Sequence, residues 1–141
     1  MDREQIEFEE VESFQDQRLG SLVDIVDLFG FVLVAFSTTV TIVSYPVSQN
    51  MLLKLTHFGN FIRDDAALGQ ITWNLLYGSV RVPYYNGITV LNGDEGWPRY
   101  VKSPSLVFRG GNTLTIQATN NSIDTDFFAG GRFKGELHKT F

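Results

Sequence analysis

The sequence predicts an all-β protein, an antiparallel sandwich or barrel with almost no helix, and three observations carry that expectation. About eight short runs rich in Val, Ile, Thr and aromatic residues recur along the 141-residue chain, the composition of strands. Several alternate apolar and polar side chains with period two, as a half-buried strand requires. The 13 glycines, with Asn-Gly pairs and prolines, break these runs into short segments joined by tight turns. At 43% apolar and 19% charged, the composition is that of one globular domain with a single core.

The elements follow in order. In residues 1–18, Ile6, Phe8, Val11 and Phe14 stand among acidic side chains. Their spacing of two, then three, then three fits neither a strand nor a helix. Two readings stand: a solvated, partly disordered terminus, or an arm that orders on a partner and uses these four side chains as anchors. Residues 21–27, Ser-Leu-Val-Asp-Ile-Val-Asp, read as a helical turn or a strand. Residues 31–44 read as two short strands, or one strand bent at Ser37. Pro46 with Gln49-Asn50 marks a turn, and residues 51–57 form the next strand with Leu53 and Leu55 on one face.

Residues 58–69, with Gly59, Asn60 and the Asp64-Asp65 pair, read as a long loop holding a helical turn near 64–68. Residues 70–77 alternate most clearly, with Ile71, Trp73, Leu75 and Tyr77 facing one way. Gly78-Ser79 turns into a short strand at Val80 and Val82 that ends at Pro83. Residues 84–104 are turn-rich. Residues 105–109 and 113–119 read as a hairpin about Gly110-Gly111-Asn112, with Leu114, Ile116 and Ala118 alternating against Thr113, Thr115, Gln117 and Thr119. After a turn at 120–124, residues 127–138 make the last strand. Its glycines at 130, 131 and 135 mark a bulge or a close backbone contact. The domain division that results is an N-terminal arm with its connecting segment, 1–29, and a sandwich body, 30–141.

Charge narrows the function. Residues 1–18 hold seven acids against Arg3 and Arg18, a net −5, while the remaining nine acids and nine bases cancel. A neutral body lacks the basic footprint of a nucleic-acid binder, and phosphates would repel the arm, so no nucleic-acid partner is expected. The longest apolar stretch, residues 28–36, is too short for a bilayer-spanning helix, and the acidic start disfavours a cleaved secretion signal. No membrane partner is expected.

Chemistry is sparse. There are no cysteines and only two histidines, His57 and His138, which leaves no thiolate site and requires carboxylates to complete any zinc site. Neither histidine accompanies a Gly-x-Ser-x-Gly nucleophile elbow, and no glycine pair precedes a helix as a phosphate loop would. Asp64-Asp65 and the Asn92-Gly93-Asp94-Glu95 loop offer oxygen atoms but match no EF-hand pattern. Asn120-Asn121-Ser122 fits a glycosylation sequon and reads as a turn. No enzyme, metal or cofactor is expected. The aromatic cluster Tyr84, Tyr85, Trp97 and Tyr100 in the turn-rich segment fits a cap on the sandwich, a subunit interface or a ligand platform.

From residue 51 onward a further pattern accumulates. Leu-x-Leu-Thr-x-Phe-Gly-Asn-Phe (53–61) is followed by Ile-Thr-Trp-x-Leu (71–75) and Val-x-Val-Pro (80–83). Gly-Gly-Asn-Thr-Leu-Thr-Ile-Gln-Ala-Thr-Asn-Asn-Ser (110–122) and Phe-x-Ala-Gly-Gly-Arg-Phe-Lys-Gly (127–135) complete it. This resembles the small β-sandwich proteins that decorate or cement the capsids of tailed bacteriophages. The resemblance implies a jelly roll-like fold, trimeric self-assembly, and an extended arm lying on the major capsid protein at the outer surface of the virion. The expected function is therefore a non-enzymatic structural one. Ile6, Phe8, Val11 and Phe14 would make the capsid contact, and Tyr84, Tyr85, Trp97 and Tyr100 the oligomer contact. The alternative is a phage tail or fibre module that binds cell-surface glycan or adjoining tail proteins.

Overall fold

A computed structural model describes residues 19–67, 69–82, 88–89, 99–100 and 106–140. The expected arm contacts Ile6, Phe8, Val11 and Phe14 lie outside these residues, as do Tyr84, Tyr85 and Trp97.

The described chain is all-β. Its strands are β1 (Leu19–Val34), β2 (Thr39–Pro46), β3 (Met51–Ile62), β4 (Ile71–Tyr77), β5 (Val80–Arg81), β6 (Ile88–Thr89), β7 (Arg99–Tyr100), β8 (Val107–Arg109), β9 (Thr113–Asn120) and β10 (Phe127–Thr140). Antiparallel pairing is nested: β1 with β10, β2 with β9, β3 with β8, and β4 with β5. Pairing of β10 with β3 and of β9 with β4 then gathers the ladders into two sheets. Sheet A runs β1-β10-β3, with β7 and β8 both on the far edge of β3. Sheet B runs β2-β9-β4, with β5 and β6 both on the far edge of β4. One long hairpin folded over itself into two sheets is the jelly roll.

Strand faces follow the alternation. In β4, Ile71, Trp73, Leu75 and Tyr77 are all buried, and in β9 Leu114, Ile116 and Ala118 are fully buried. These pack against Leu53, Leu55 and Phe58 of β3, Phe108 of β8 and Phe133 of β10. The Trp73 indole N–H crosses the core and donates to the Gly130 carbonyl of β10 at 2.9 Å. Tyr77 OH likewise donates to the Arg109 carbonyl on the opposite sheet.

Several expectations change in the tertiary structure. Residues 21–27 are strand, and β1 begins at Leu19, so the expected arm–body boundary at residue 29 falls inside a strand that pairs with β10 along its length. Residues 31–44 are the end of β1 and the start of β2, two strands rather than one bent strand; Ser37, with φ 56°, lies in the turn where the chain leaves sheet A for sheet B. The loop expected from Phe58 is instead the continuation of β3 to Ile62, because Gly59 and Asn60 pair with Arg132 and Gly131 of β10. Only the turn after it, with a short 3-10 segment at Asp65–Ala67, is non-strand.

The expected hairpin of residues 105–119 is also corrected. β8 pairs with β3 and β9 with β2 and β4, so the Gly110-Gly111 corner joins the two sheets rather than two neighbouring strands. The Gly110 N–H donates to Met51 O, and a Cβ there would lie 1.8 Å from Ser48 O. Gly111 N–H donates to Val47 O. The backbone approach that glycine permits ties this corner to the β2–β3 turn.

Asn60 is fully buried on the inner face of β3, and neither atom of its amide has a hydrogen-bond partner among the described residues. Such groups cost about 1–3 kcal/mol. Asn60→Leu, close in shape and apolar, is therefore expected to raise stability by about that amount in urea unfolding. A loss of stability would show that the amide has a partner. Deleting residues 1–18 is expected to leave the cooperative melting transition of the free protein almost unchanged, since both sheets and the core as described are built from residues 19–140. Loss of the transition would make that segment part of the core.

Candidate functional site

The outer face of sheet A carries the most unusual surface among the described residues. Its rows follow from register. Phe31 of β1 lies opposite Gly130 of β10, which lies opposite Phe61 of β3; Leu33 lies opposite Phe128. Gly130 lets this row close. A Cβ there would sit 2.2 Å from the Phe61 ring, so the ring lies flat across the glycine toward β1. Phe61 consequently stacks on Phe29 at 5.1 Å and on Phe31 at 5.6 Å between centroids. Phe31 stacks in turn on Phe128 at 5.2 Å, and the Arg63 guanidinium covers Phe128 at 4.0 Å.

Four rings from three strands thus form one ladder on a solvent-facing sheet. Phe29 is 61% exposed, and Leu33 52%. Leu22, Val23, Ile25 and Phe36 extend the apolar surface along β1 and into the turn after it. Stacked pairs contribute about 0.5–1.5 kcal/mol each beyond burial, so the ladder is held in shape before any partner arrives. Rigid aromatic anchors of this kind are the residues that interfaces concentrate.

An ion pair borders the ladder. Arg132 Nε donates to Asp27 Oδ1 at 2.8 Å and Nη2 to Oδ2 at 2.6 Å, a two-point contact across β1 and β10. The Arg132 hydrogen bonds hold the Asp27 carboxyl below its ordinary range. Because the folded value is the lower one, the pair's contribution is complete above the unfolded carboxylate value, about pH 4, and is lost as pH falls through the folded value. Both side chains are about one-third exposed, which limits the effect to about 0–1 kcal/mol. Wild type should therefore exceed Asp27→Asn in stability at pH 7, with the gap narrowing by pH 3. An unchanged gap would show that the charge on Asp27 contributes nothing.

A second feature lies where the β9–β10 loop meets the β3–β4 turn. An open cleft of about 520 Å3 is lined by Gln70, Asn121, Asp124 and Thr125 with Ala66 and Ile123. Asn120 beneath it is fully buried: its Nδ2 donates to Val34 O and Thr125 O, and its Oδ1 accepts from Ser122 N. The sequon is thus an internal turn brace, with both amide protons in use.

Of the expected site residues, Tyr100 is in β7 at the edge of β3, paired with His57. His57 Nδ1 lies 3.0 Å from Thr56 Oγ1, and His138 is buried with its ring nitrogens on Gly20 O and Glu136 Oε1. Phe29, Phe31, Phe61 and Phe128 were not singled out by sequence. The signal was the Phe29/Phe31 pair at period two, masked because the residues between and around them are apolar as well.

No family model matches the chain, and no curated protein matches it. Among solved structures it is similar to dimeric latent PorU from Porphyromonas gingivalis, at 15% identity and a TM-score of 0.31. That match covers 84% of this chain and 14% of the other.

Proposed function

We propose that this chain is a non-enzymatic virion structural protein that decorates the major capsid shell and docks through the outer face of sheet A. The observation that supports the reading best is the preformed ladder of Phe29, Phe61, Phe31 and Phe128 on the open face of a jelly roll. An exposed, rigid aromatic surface suits protein docking: its burial releases water at little cost in side-chain ordering. The capsid assignment itself rests on the resemblance of residues 51–137. Ile6, Phe8, Val11 and Phe14 supply further anchors in this reading, with the acids around them steering the approach to basic subunits.

The test is to add purified protein to shells lacking it and measure occupancy for three proteins. Phe29→Ala with Phe128→Ala should reduce occupancy severely, Phe8→Ala with Phe14→Ala should do the same for the arm, and wild type should fill the sites. Failure of wild type to bind any shell overturns the capsid reading. Equal occupancy by wild type and the Phe29/Phe128 variant removes sheet A from it. The amide- and hydroxyl-lined cleft at Gln70, Asn121 and Thr125 favours one other reading, a tail or fibre module that binds glycan. Binding to an oligosaccharide array, lost in Asn121→Ala, would support that reading instead.

A further inference from the structure

β1 pairs with β10 along one edge, and its other edge has no strand beside it among the described residues. Edges of this kind are normally blunted by shortness, Pro, Lys or bulges. Here the register shifts are confined to residues 19–24; residues 24–34 run in unbroken register and contain no Pro, Lys or Arg. The charges on that stretch are Asp24 and Asp27, and Asp27 is already held by Arg132. What remains is a long, regular, apolar strand edge, a template for another strand.

We propose that this edge pairs with the same edge of a second copy, antiparallel about a two-fold axis at Phe29, so that two sheets A become one continuous sheet. The proposal does not depend on the capsid reading. Three properties of the strand favour a second copy as the occupant. Centred on Phe29, the pairing sets Phe29 against Phe29 and Ile25 against Leu33, apolar pairs on the outer face, while Asp27, held by Arg132 of its own copy, lies opposite Phe31. It also keeps the two Asp24 and two Asp27 carboxylates from facing one another, which a register three or four residues nearer the N-terminus would not. Finally, the exposed apolar surface along the strand is large. With Phe29, Leu33 and Ile25 each about half exposed, and Phe31, Phe36 and the half-buried Leu28 and Val32 beside them, the apolar area is on the order of 500–700 Å2 per copy. That is near the upper end for a monomer's largest patch, and edge pairing covers the part of it that lines the strand.

The β1 edge accepts one partner strand, so this contact closes as a two-fold dimer, in place of the trimer that the family resemblance implies. The outer faces of both copies then lie on the same side of the joined sheet, placing two aromatic ladders side by side.

The native chain has no cysteine, so single nitroxide labels at Ile25→Cys, Phe29→Cys and Leu33→Cys report on identical positions in the two copies. With sedimentation velocity establishing a dimer at micromolar concentration, the backbone separation between copies should be about 5 Å at residue 29 and about 27 Å at residues 25 and 33. Ile25→Lys with Leu33→Lys, both at exposed positions, should weaken the dimer by more than about tenfold without altering the thermal transition of the monomer. If that variant does not fold, the label distances, which need no introduced charge, still decide. A monomer at 100-fold higher concentration, a trimer, or distances without a minimum at residue 29 overturns the proposal. A full chain that is monomeric and dimerises only on deletion of residues 1–18 also overturns it, and assigns the edge to the chain's own N-terminal segment.

Discussion

Trp73→Ala should destabilise the protein by about 3–5 kcal/mol, the range for removing a fully buried tryptophan. Trp73 is the largest of the completely buried side chains, and it lies in β4 at the centre of the inner face of sheet B. Its ring fills the space between the sheets, and its N–H satisfies the Gly130 carbonyl of sheet A. Truncation therefore opens a cavity and unpairs a buried acceptor at one stroke. For a domain with about 5–15 kcal/mol of total stability, that is at least about a fifth of the whole. Trp73→Phe separates the two contributions: it keeps most of the volume and loses the hydrogen bond, and should cost about 1–3 kcal/mol. Urea unfolding of both variants gives the comparison. A cost below 1 kcal/mol for Trp73→Ala would mean that the two sheets do not pack against each other at this position.

Asn120→Ala is expected to cost at least about 3 kcal/mol, more than its small volume change accounts for. The side chain is fully buried and makes three hydrogen bonds to main-chain groups. Through Val34 O it ties the end of β9 in sheet B to the end of β1 in sheet A. Through Thr125 O and Ser122 N it holds the turn that leads into β10. The Ser37 N–H and hydroxyl bond to Ser122 O, and the Phe36 N–H bonds to Asp126, so the β1–β2 turn rests on the same brace. Removing the amide leaves two carbonyls and one N–H to be satisfied in a buried site, each worth about 1–3 kcal/mol and not strictly additive. Asn120→Asp tests the donor role: it keeps the acceptor for Ser122 but presents oxygen to two carbonyls, and should be as damaging as alanine. Hydrogen exchange should quicken in both turns. If Asn120→Asp is tolerated, the amide protons contribute nothing at these carbonyls and the brace as described is wrong.

Where one strand face meets the core and the other meets water, the alternation reads correctly from the residues alone. Trp73 with Leu75, and Leu114 with Ile116, share one face of their strands by sequence, and all four are fully buried in the fold. β1 defeated that reading for a physical reason. Val26 and Val34 face the core while Ile25, Phe29 and Leu33 face out, so both faces are apolar and period two vanishes from the pattern. The end of β3 was hidden differently: Gly59 and Asn60 are turn-formers locally, and only pairing with Arg132 and Gly131 makes them strand. The aromatic ladder shares both difficulties, since its rings come from positions 29, 31, 61 and 128.

The residues by themselves determine that this protein is built of strands, which side of the regular strands is buried, and that its excess negative charge lies in residues 1–18. Only the tertiary structure decides that β8 leaves β9 to pair with β3, that the ladders nest into a jelly roll, and that Phe61 crosses Gly130 to reach Phe29 and Phe31. The division has a physical origin. Burial acts on each side chain and leaves a period-two trace in the sequence, whereas the hydrogen bonds that join strands come from a backbone common to every residue. Which strands become neighbours is settled by close approaches, such as Gly110 on Ser48 and Gly130 under Phe61, between positions far apart in the chain.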